Sequence, residues 1–228
     1  MELLQHDEAF ALAQEWVAAG VVEIAEVGKS FPFSAGWESP IKLHMDVACE
    51  VPGLMENIRS AVDRPLREEL EKYYKIPVRF LTFVGVPSGG NPFARMLSTS
   101  LGAKHCNSQK KLEGTETIFE FGSLTGTQRW VVVFEDVITT GGQSRKLIKL
   151  VLENGRIVCL LVTMFSYNFA VAMDTVREQR IHHGNVVSFE PLLRALRASD
   201  NKRFTPQVLQ TIADWHTKPN VWKASNWR

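Results

Sequence analysis

Apolar and polar positions change period several times along the 228-residue chain. From Asp7 to Ala19, Phe10, Ala13 and Trp16/Val17 fall on one face, Asp7 can cap the start and Gly20 stops the run. This predicts an amphipathic helix over 7–19. Residues 41–46 alternate instead: Ile41, Leu43 and Met45 point one way, and Lys42, His44 and Asp46 the other, as in a strand. Residues 53–74 return to helical spacing, with Pro65 predicting a break or a new first turn. The pattern then becomes nearly continuous apolar runs, Arg79–Val86, Trp130–Phe134 and Ile157–Phe165. Helical stretches Pro92–Leu101 and Gln143–Glu153 separate them, the second closing at Asn154-Gly155. Apolar strands that alternate with helices predict an α/β fold with a central parallel sheet covered by helices on both faces. No internal repeat or low-complexity segment interrupts this order.

Charge narrows the function classes. Lys and Arg total 26 against 25 Asp and Glu, a formal net charge of +1. That balance argues against a nucleic-acid-binding surface spread over the chain and against an acidic tail. Hydrophobic residues at 45% and charged residues at 22% suit a soluble globular protein of one domain. No apolar run approaches the roughly 18 residues a membrane span needs. The N-terminus lacks a basic region followed by an apolar stretch, so no secretory signal is expected. Cys49, Cys106 and Cys159 are widely spaced, which predicts reduced thiols in a cytoplasmic protein. His182-His183 precede Gly184 with no ligand cluster, and read as a solvated turn.

The chemistry concentrates in residues 131–144. An apolar strand runs into two adjacent carboxylates, Glu135 and Asp136, then Val137 and Ile138. Thr139, Thr140, Gly141, Gly142, Gln143 and Ser144 form a turn that opens a helix. Parallel sheets bind ligands outside the carboxyl ends of their strands. Glycines let backbone N–H groups crowd a phosphate, and the helix N-terminus adds a favourable dipole. Hydroxyls of Thr139, Thr140 and Ser144 supply further donors, and paired carboxylates suit vicinal ribose hydroxyls. No Gly-Lys-Ser/Thr follows the glycines, and no Gly-x-Gly-x-x-Gly is present.

This segment resembles the phosphoribosyl pyrophosphate (PRPP) motif of type I phosphoribosyltransferases. Other stretches narrow the resemblance to orotate phosphoribosyltransferases, in order along nearly the whole chain. Residues 34–40, Ser-Ala-Gly-Trp-Glu-Ser-Pro, resemble their Ser-Gly-x-x-Ser-Pro element. Residues 85–92, with Ser88, Gly89 and Gly90, resemble their pyrophosphate-binding loop. Lys111-Leu-Glu-Gly114 followed by Phe119-Glu120 sits where they carry a mobile catalytic loop. Phe165-Ser-Tyr-Asn-Phe169 and the 212–222 segment look like one bacterial subgroup.

The resemblance implies a type I phosphoribosyltransferase fold with a small N-terminal hood. It divides into a hood and base-site segment at 1–50, a PRPP-binding core at 77–190 and a C-terminal helical segment at 191–228. The implied reaction joins orotate to PRPP, giving orotidine 5′-monophosphate and pyrophosphate with Mg²⁺, in pyrimidine synthesis. The metal enters through PRPP rather than on protein ligands, and a cytoplasmic homodimer is expected, with neither nucleic acid nor membrane as partner. Lys111 and Asp136 are the implied catalytic residues. Ser88–Gly90 and Glu135–Ser144 are implied to bind PRPP. Gly36, Trp37, Lys42, His44, Phe165 and Tyr167 are implied to line the base site.

The chain departs from the family in two places. The family's loop presents an Arg, a Lys, and a His before a Gly; the matching positions here are Asn107, Lys111 and Glu113, with Lys110 and Lys104 nearby. A carboxylate about 5 Å from a pyrophosphate costs about 3 kcal/mol at an effective dielectric of about 20. The base-site strand carries Lys42, His44 and Asp46 where the subgroup has an aromatic, Asp and Arg. Ser166 lies where many relatives place an Arg on the orotate carboxylate. Two other readings follow: a phosphoribosyltransferase for another base, and a PRPP-binding regulator without turnover. Trp215, Trp222 and Trp227 are expected to anchor the C-terminal segment.

Overall fold

The computed structural model describes residues 1–33, 36–113, 116–122 and 129–227. Along the chain the elements are α1 (His6–Ala18), β1 (Val22–Ile24), β2 (Phe31–Pro32), β3 (Glu38–Ser39), β4 (Ile41–Leu43), α2 (Met45–Glu50) and α3 (Leu54–Tyr74). There follow β5 (Leu81–Gly85), α4 (Gly90–Leu101), β6 (Lys104–Cys106), β7 (Ser108–Glu113), β8 (Glu116–Phe121), β9 (Trp130–Ile138) and α5 (Gly142–Glu153). The chain continues through β10 (Ile157–Ser166), α6 (Ala170–Glu178), β11 (His182–Ser188), α7 (Phe189–Ala198) and α8 (Pro206–Thr217).

Two compact units result. The first holds residues 1–5 and 56–186, the second residues 6–55 and 187–228.

The first unit is built on a five-stranded sheet of order β11-β10-β9-β5-β6. The pairs β10–β9, β9–β5 and β5–β6 are parallel. Val131, Val132, Val133 and Phe134 of β9 are all fully buried, as are Leu81, Phe83 and Val84 of β5. Such strands need apolar side chains on both faces, which explains their continuous apolar runs. Against expectation, β9 does not stop at Phe134. It pairs with β10 through Ile138, with Thr163 opposite Glu135 and Ser166 opposite Ile138. The acidic pair therefore sits inside the last stretch of a central strand.

Two further expectations are corrected. Pro65 lies inside α3 without breaking it. Ile58, Val62, Leu66 and Leu70, spaced by four, are all fully buried, and this stripe outweighs the roughly 3 kcal/mol an internal proline costs. His182-His183 is not a turn but the start of β11. The His183 ring lies 2.9 Å from the Thr163 hydroxyl, and its carbonyl accepts from the Met1 ammonium at 2.8 Å. Burial, and then the nearby N-terminal charge, lower the His183 pKa to about 4.

In the second unit, α1 and α7 pack together, with the Arg194 guanidinium 4.1 Å over the Phe10 ring. Trp215 of α8 is fully buried, and its indole Nε1–H donates to the Glu38 carbonyl at 2.9 Å. Glu38 also accepts from the Ala224 amide at 2.9 Å and pairs with Lys223 at 3.1 Å. Trp222 packs edge-on to Trp227, whose indole donates to the Lys29 carbonyl at 2.6 Å. The three C-terminal tryptophans act as anchors, as their size predicts.

Candidate active site

The sheet delivers two strand-to-helix connections side by side. β5 leads through Val86–Gly89 into α4, and β9 leads through Thr139–Gly141 into α5. The Val86 amide donates to the Phe134 carbonyl at 2.6 Å, and the Gly90 amide to the Val86 carbonyl at 2.9 Å. The Pro87–Ser88 peptide is cis. A Cβ on Gly89 would overlap the Asp136 carboxyl, and one on Gly90 would overlap the Phe134 carbonyl oxygen. Only glycine permits this approach. Gly89 is thereby brought against the Asp136 carboxyl, and Gly90 against the Phe134 carbonyl.

The second connection needs glycine for another reason. Gly141 adopts φ +77° just before α5, and a Cβ there would also crowd Thr175 at 3.3 Å. Amides at the start of α5 have no partner within the helix and face outward from the turn. Thr139, Thr140 and Gln143 are half-buried, and Gly142 is exposed. Together with the helix dipole, this turn can hold a phosphate.

Glu135 and Asp136 differ although they are adjacent. Asp136 and Val137 are half-buried. Glu135 is only 6% exposed, and the Ser144 hydroxyl donates to it. Burial, and then the neighbouring Asp136 charge, push the Glu135 pKa well above its ordinary 4.5, while Lys110 opposes this. Ser144 therefore serves Glu135. Ile138 is fully buried in the cluster that includes Val133, Leu147 and Ala172, so it contributes only backbone to any ligand.

The expected catalytic loop is an antiparallel hairpin of β7 and β8. The Asn91 side chain ties α4 to it, donating to the Ser108 carbonyl at 2.7 Å. The Ser108 hydroxyl donates to the Gly85 carbonyl at the end of β5. Lys111 is exposed and pairs with Glu120 at 2.9 Å. Gly114 lies outside the described residues.

The base-site candidates separate. Phe165 and Tyr167, 0% and 1% exposed, pack edge to face at 4.8 Å, and Tyr167 stacks on Phe169 at 5.2 Å. They are core residues that can support a base site but present no surface to a base. Gly36, Trp37, Lys42 and His44 belong to the second unit. Gly36 takes φ +77° in a tight turn in which the Phe33 amide donates to the Trp37 carbonyl at 2.8 Å. Ser34 and Ala35 lie outside the described residues. β4 ends at Leu43, so Lys42 and His44 are not two cations on one strand face. His44 precedes α2, and its Nε2 lies 2.6 Å from Glu23. Lys42 remains exposed on β4, opposite Glu23 in the ladder.

A cavity of about 820 Å³ opens beside Ser88, lined by Asn91, Arg95, Asn107, Arg59 and Ser100 among others. Of these, the sequence singled out neither Arg59 nor Arg95. Isolated polar residues on helices carry no signal that separates them from a solvated face.

No protein-family model matches the chain. It is 26% identical over 195 residues to the orotate phosphoribosyltransferase of Cytophaga hutchinsonii, covering 85% of this chain and 88% of that one. The solved orotate phosphoribosyltransferase of Aeropyrum pernix matches with a TM-score of 0.65 at 22% identity, over 82% of this chain and 99% of that one. An adenine phosphoribosyltransferase from Trypanosoma brucei, solved with AMP, pyrophosphate and ribose-5-phosphate, matches with a TM-score of 0.57 at 16% identity, over 78% and 81% of the two chains. The fold is that of the type I phosphoribosyltransferases. The two connections after β5 and β9 hold the residues that the sequence singled out, Ser88–Gly90 and Thr139–Ser144. Orotate and adenine enzymes share the scaffold, so the base is set by local residues and not by the fold.

Proposed function

We propose that the chain transfers the phosphoribosyl group of PRPP to orotate, giving orotidine 5′-monophosphate and pyrophosphate. The observation that carries this reading is the meeting of the Asp136 carboxyl with the Gly89 backbone at the carboxyl edge of the sheet. In this reading the Thr139–Gln143 turn and the α5 N-terminus hold the 5-phosphate, while Ser144 holds Glu135. Glu135 and Asp136 take the ribose hydroxyls, and Ser88–Gly90 take the pyrophosphate. Gly36, Trp37 and Lys42 contribute to base recognition. A ring nitrogen of orotate bonds to the ribose anomeric carbon and gives up its proton to solvent, while that carbon's bond to pyrophosphate breaks, the electron pair leaving with pyrophosphate. The residues' work is to align the reactants, stabilise charge where it develops and exclude water from the cationic ribose.

Among the described residues no three His, Cys, Asp or Glu side chains gather as a metal cage. The oxygen donors at this site, with Asp136 half-buried beside Gly89, suit a hard cation that arrives on PRPP. Bound there, Mg²⁺ would neutralise pyrophosphate as it leaves. The outward face of Lys111 fits a homodimer in which this residue serves the neighbouring subunit's site.

One observation favours a second reading, transfer to a base other than orotate: Glu23 engages His44, leaving Lys42 as the exposed cation of the pair. Loss of orotate absorbance with purified protein, PRPP and Mg²⁺, beside an Asp136→Asn control, tests the proposal. Loss that requires PRPP and collapses in the control supports orotate. Silence with orotate and turnover with another base supports the second reading.

A further inference from the structure

α6 packs behind the Thr139–Gly141 turn. Its Ala172 and Val176 are buried in the cluster that also holds Ile138 at the end of β9 and Leu147 of α5. That anchoring sets Thr175, half-buried and one residue before Val176, against the turn. Its methyl group lies where Gly141 has no side chain: a Cβ on Gly141 would stand 3.3 Å from the Thr175 Cγ2. Its hydroxyl donates to the Val171 carbonyl at 2.9 Å, one turn back in α6, and shares that proton with the Thr140 carbonyl at 3.4 Å. Three-centre bonds of this kind are common at helix ends. The Arg145–Glu178 pair also joins α5 to α6, at 3.5 Å, but both side chains are more than half exposed. Such a pair contributes little to holding the turn.

The Thr140 carbonyl and the Gly141 amide belong to one trans peptide unit, so they point in opposite directions. A hydroxyl on α6 that takes the carbonyl therefore turns the amide away from α6 and out of the turn. Among the described residues that amide has no partner. Gly141 adopts φ +77° and carries no side chain, so its own sterics place little restraint on this peptide. With the peptide reversed, a carbonyl oxygen would face an anion bound in the turn and repel it. The orientation of this one peptide thus decides whether the turn presents a donor or an acceptor, and Thr175 lies on the side that selects the donor.

We infer that Thr175 is a positioning residue for the 5-phosphate of PRPP: it holds the Thr140 carbonyl towards α6 and so aims the Gly141 amide at the phosphate. The inference rests on the phosphoribosyltransferase reading. It adds to the turn a residue from a different helix, 34 positions beyond Gly141 in sequence.

Calorimetric binding to wild type, Thr175→Val and Thr175→Ser tests it, with a thermal melt of each. The ligands are PRPP with Mg²⁺, ribose 5-phosphate, and pyrophosphate with Mg²⁺. T175V keeps the shape and the methyl contact with Gly141 and loses the hydroxyl; T175S keeps the hydroxyl. The expected result is a T175V variant that binds PRPP and ribose 5-phosphate about three- to tenfold more weakly, by a common factor, the loss of one neutral hydrogen bond. Pyrophosphate binds T175V as it binds wild type, T175S recovers most of the affinity for the other two ligands, and the melts are alike. Wild-type affinity of T175V for ribose 5-phosphate and PRPP overturns the Thr175 assignment alone. Equal weakening for pyrophosphate also overturns it, because the effect is then not one on the 5-phosphate. A wild type that binds neither PRPP nor ribose 5-phosphate overturns the underlying reading.

Discussion

Gly89 approaches the Asp136 carboxyl so closely that a Cβ at residue 89 would occupy the same space. Gly89 lies in the connection after β5 and Asp136 near the end of the neighbouring parallel strand β9, 47 positions apart in sequence. Their approach turns two separate loops into one site. It also leaves no room for a side chain at residue 89.

Gly89→Ala therefore tests the junction. The methyl group has to displace either the Asp136 carboxyl or the loop backbone. PRPP affinity is expected to fall at least about tenfold, while circular dichroism stays that of the wild type, because the change touches no core side chain. Titration calorimetry with PRPP reads the first effect.

Glu135 gives a pH-dependent signature. Its carboxyl pKa is raised in the folded chain, so the folded state holds the proton more tightly than the unfolded one. The stability this contributes is fully present below the ordinary value of 4.5 and is lost as pH rises through the folded-state value. Glu135→Gln keeps the shape and stays neutral. Urea melts at a series of pH values are expected to show wild type losing stability relative to E135Q as pH rises above about 5.

His183 has the opposite sign. Its pKa falls to about 4 from the ordinary 6.5, so the unfolded chain takes up a proton that the folded one refuses. Stability is lost as pH falls from 6.5 towards 4, by about 3 kcal/mol at most. His183→Gln should remove most of that acid sensitivity, measured against wild type by urea denaturation between pH 7 and pH 4.

How much of this was legible in the sequence depends on how each residue is held. The runs Trp130–Phe134 and Ile157–Phe165 announced the central strands because a sheet buried on both faces leaves no polar alternation to confuse them. β11 escaped notice because its first residues, His182-His183-Gly184-Asn185, are polar. They are accommodated by partners from distant parts of the chain, Thr163 and the first residues of the N-terminus. α3 carries Pro65 without a break because its four buried aliphatics decide the matter. The Thr139–Ser144 turn was legible as a strand-to-helix connection because its signal is local, six consecutive residues at one helix start. The surroundings of the base-site candidates were not: His44 depends on Glu23, and the burial of Phe165 and Tyr167 depends on packing that no local pattern reports.

Trp215 tests the anchoring of the C-terminal segment. Trp215→Ala empties a fully buried site and is expected to cost about 3–5 kcal/mol. Trp215→Phe keeps much of the packing but leaves the Glu38 carbonyl without its indole donor, and should cost about 1–2 kcal/mol from that loss. Denaturant melts of the two variants beside wild type separate packing from the hydrogen bond.

The most direct test of the central claim is to identify the nucleotide formed. The protein is incubated with PRPP, Mg²⁺ and an equimolar mixture of orotate, uracil, adenine and guanine, and the products are resolved by mass spectrometry. The account predicts orotidine 5′-monophosphate with pyrophosphate in equal amount, and neither product from Asp136→Asn. Formation of a different nucleotide, or no nucleotide from protein that binds PRPP, would contradict it.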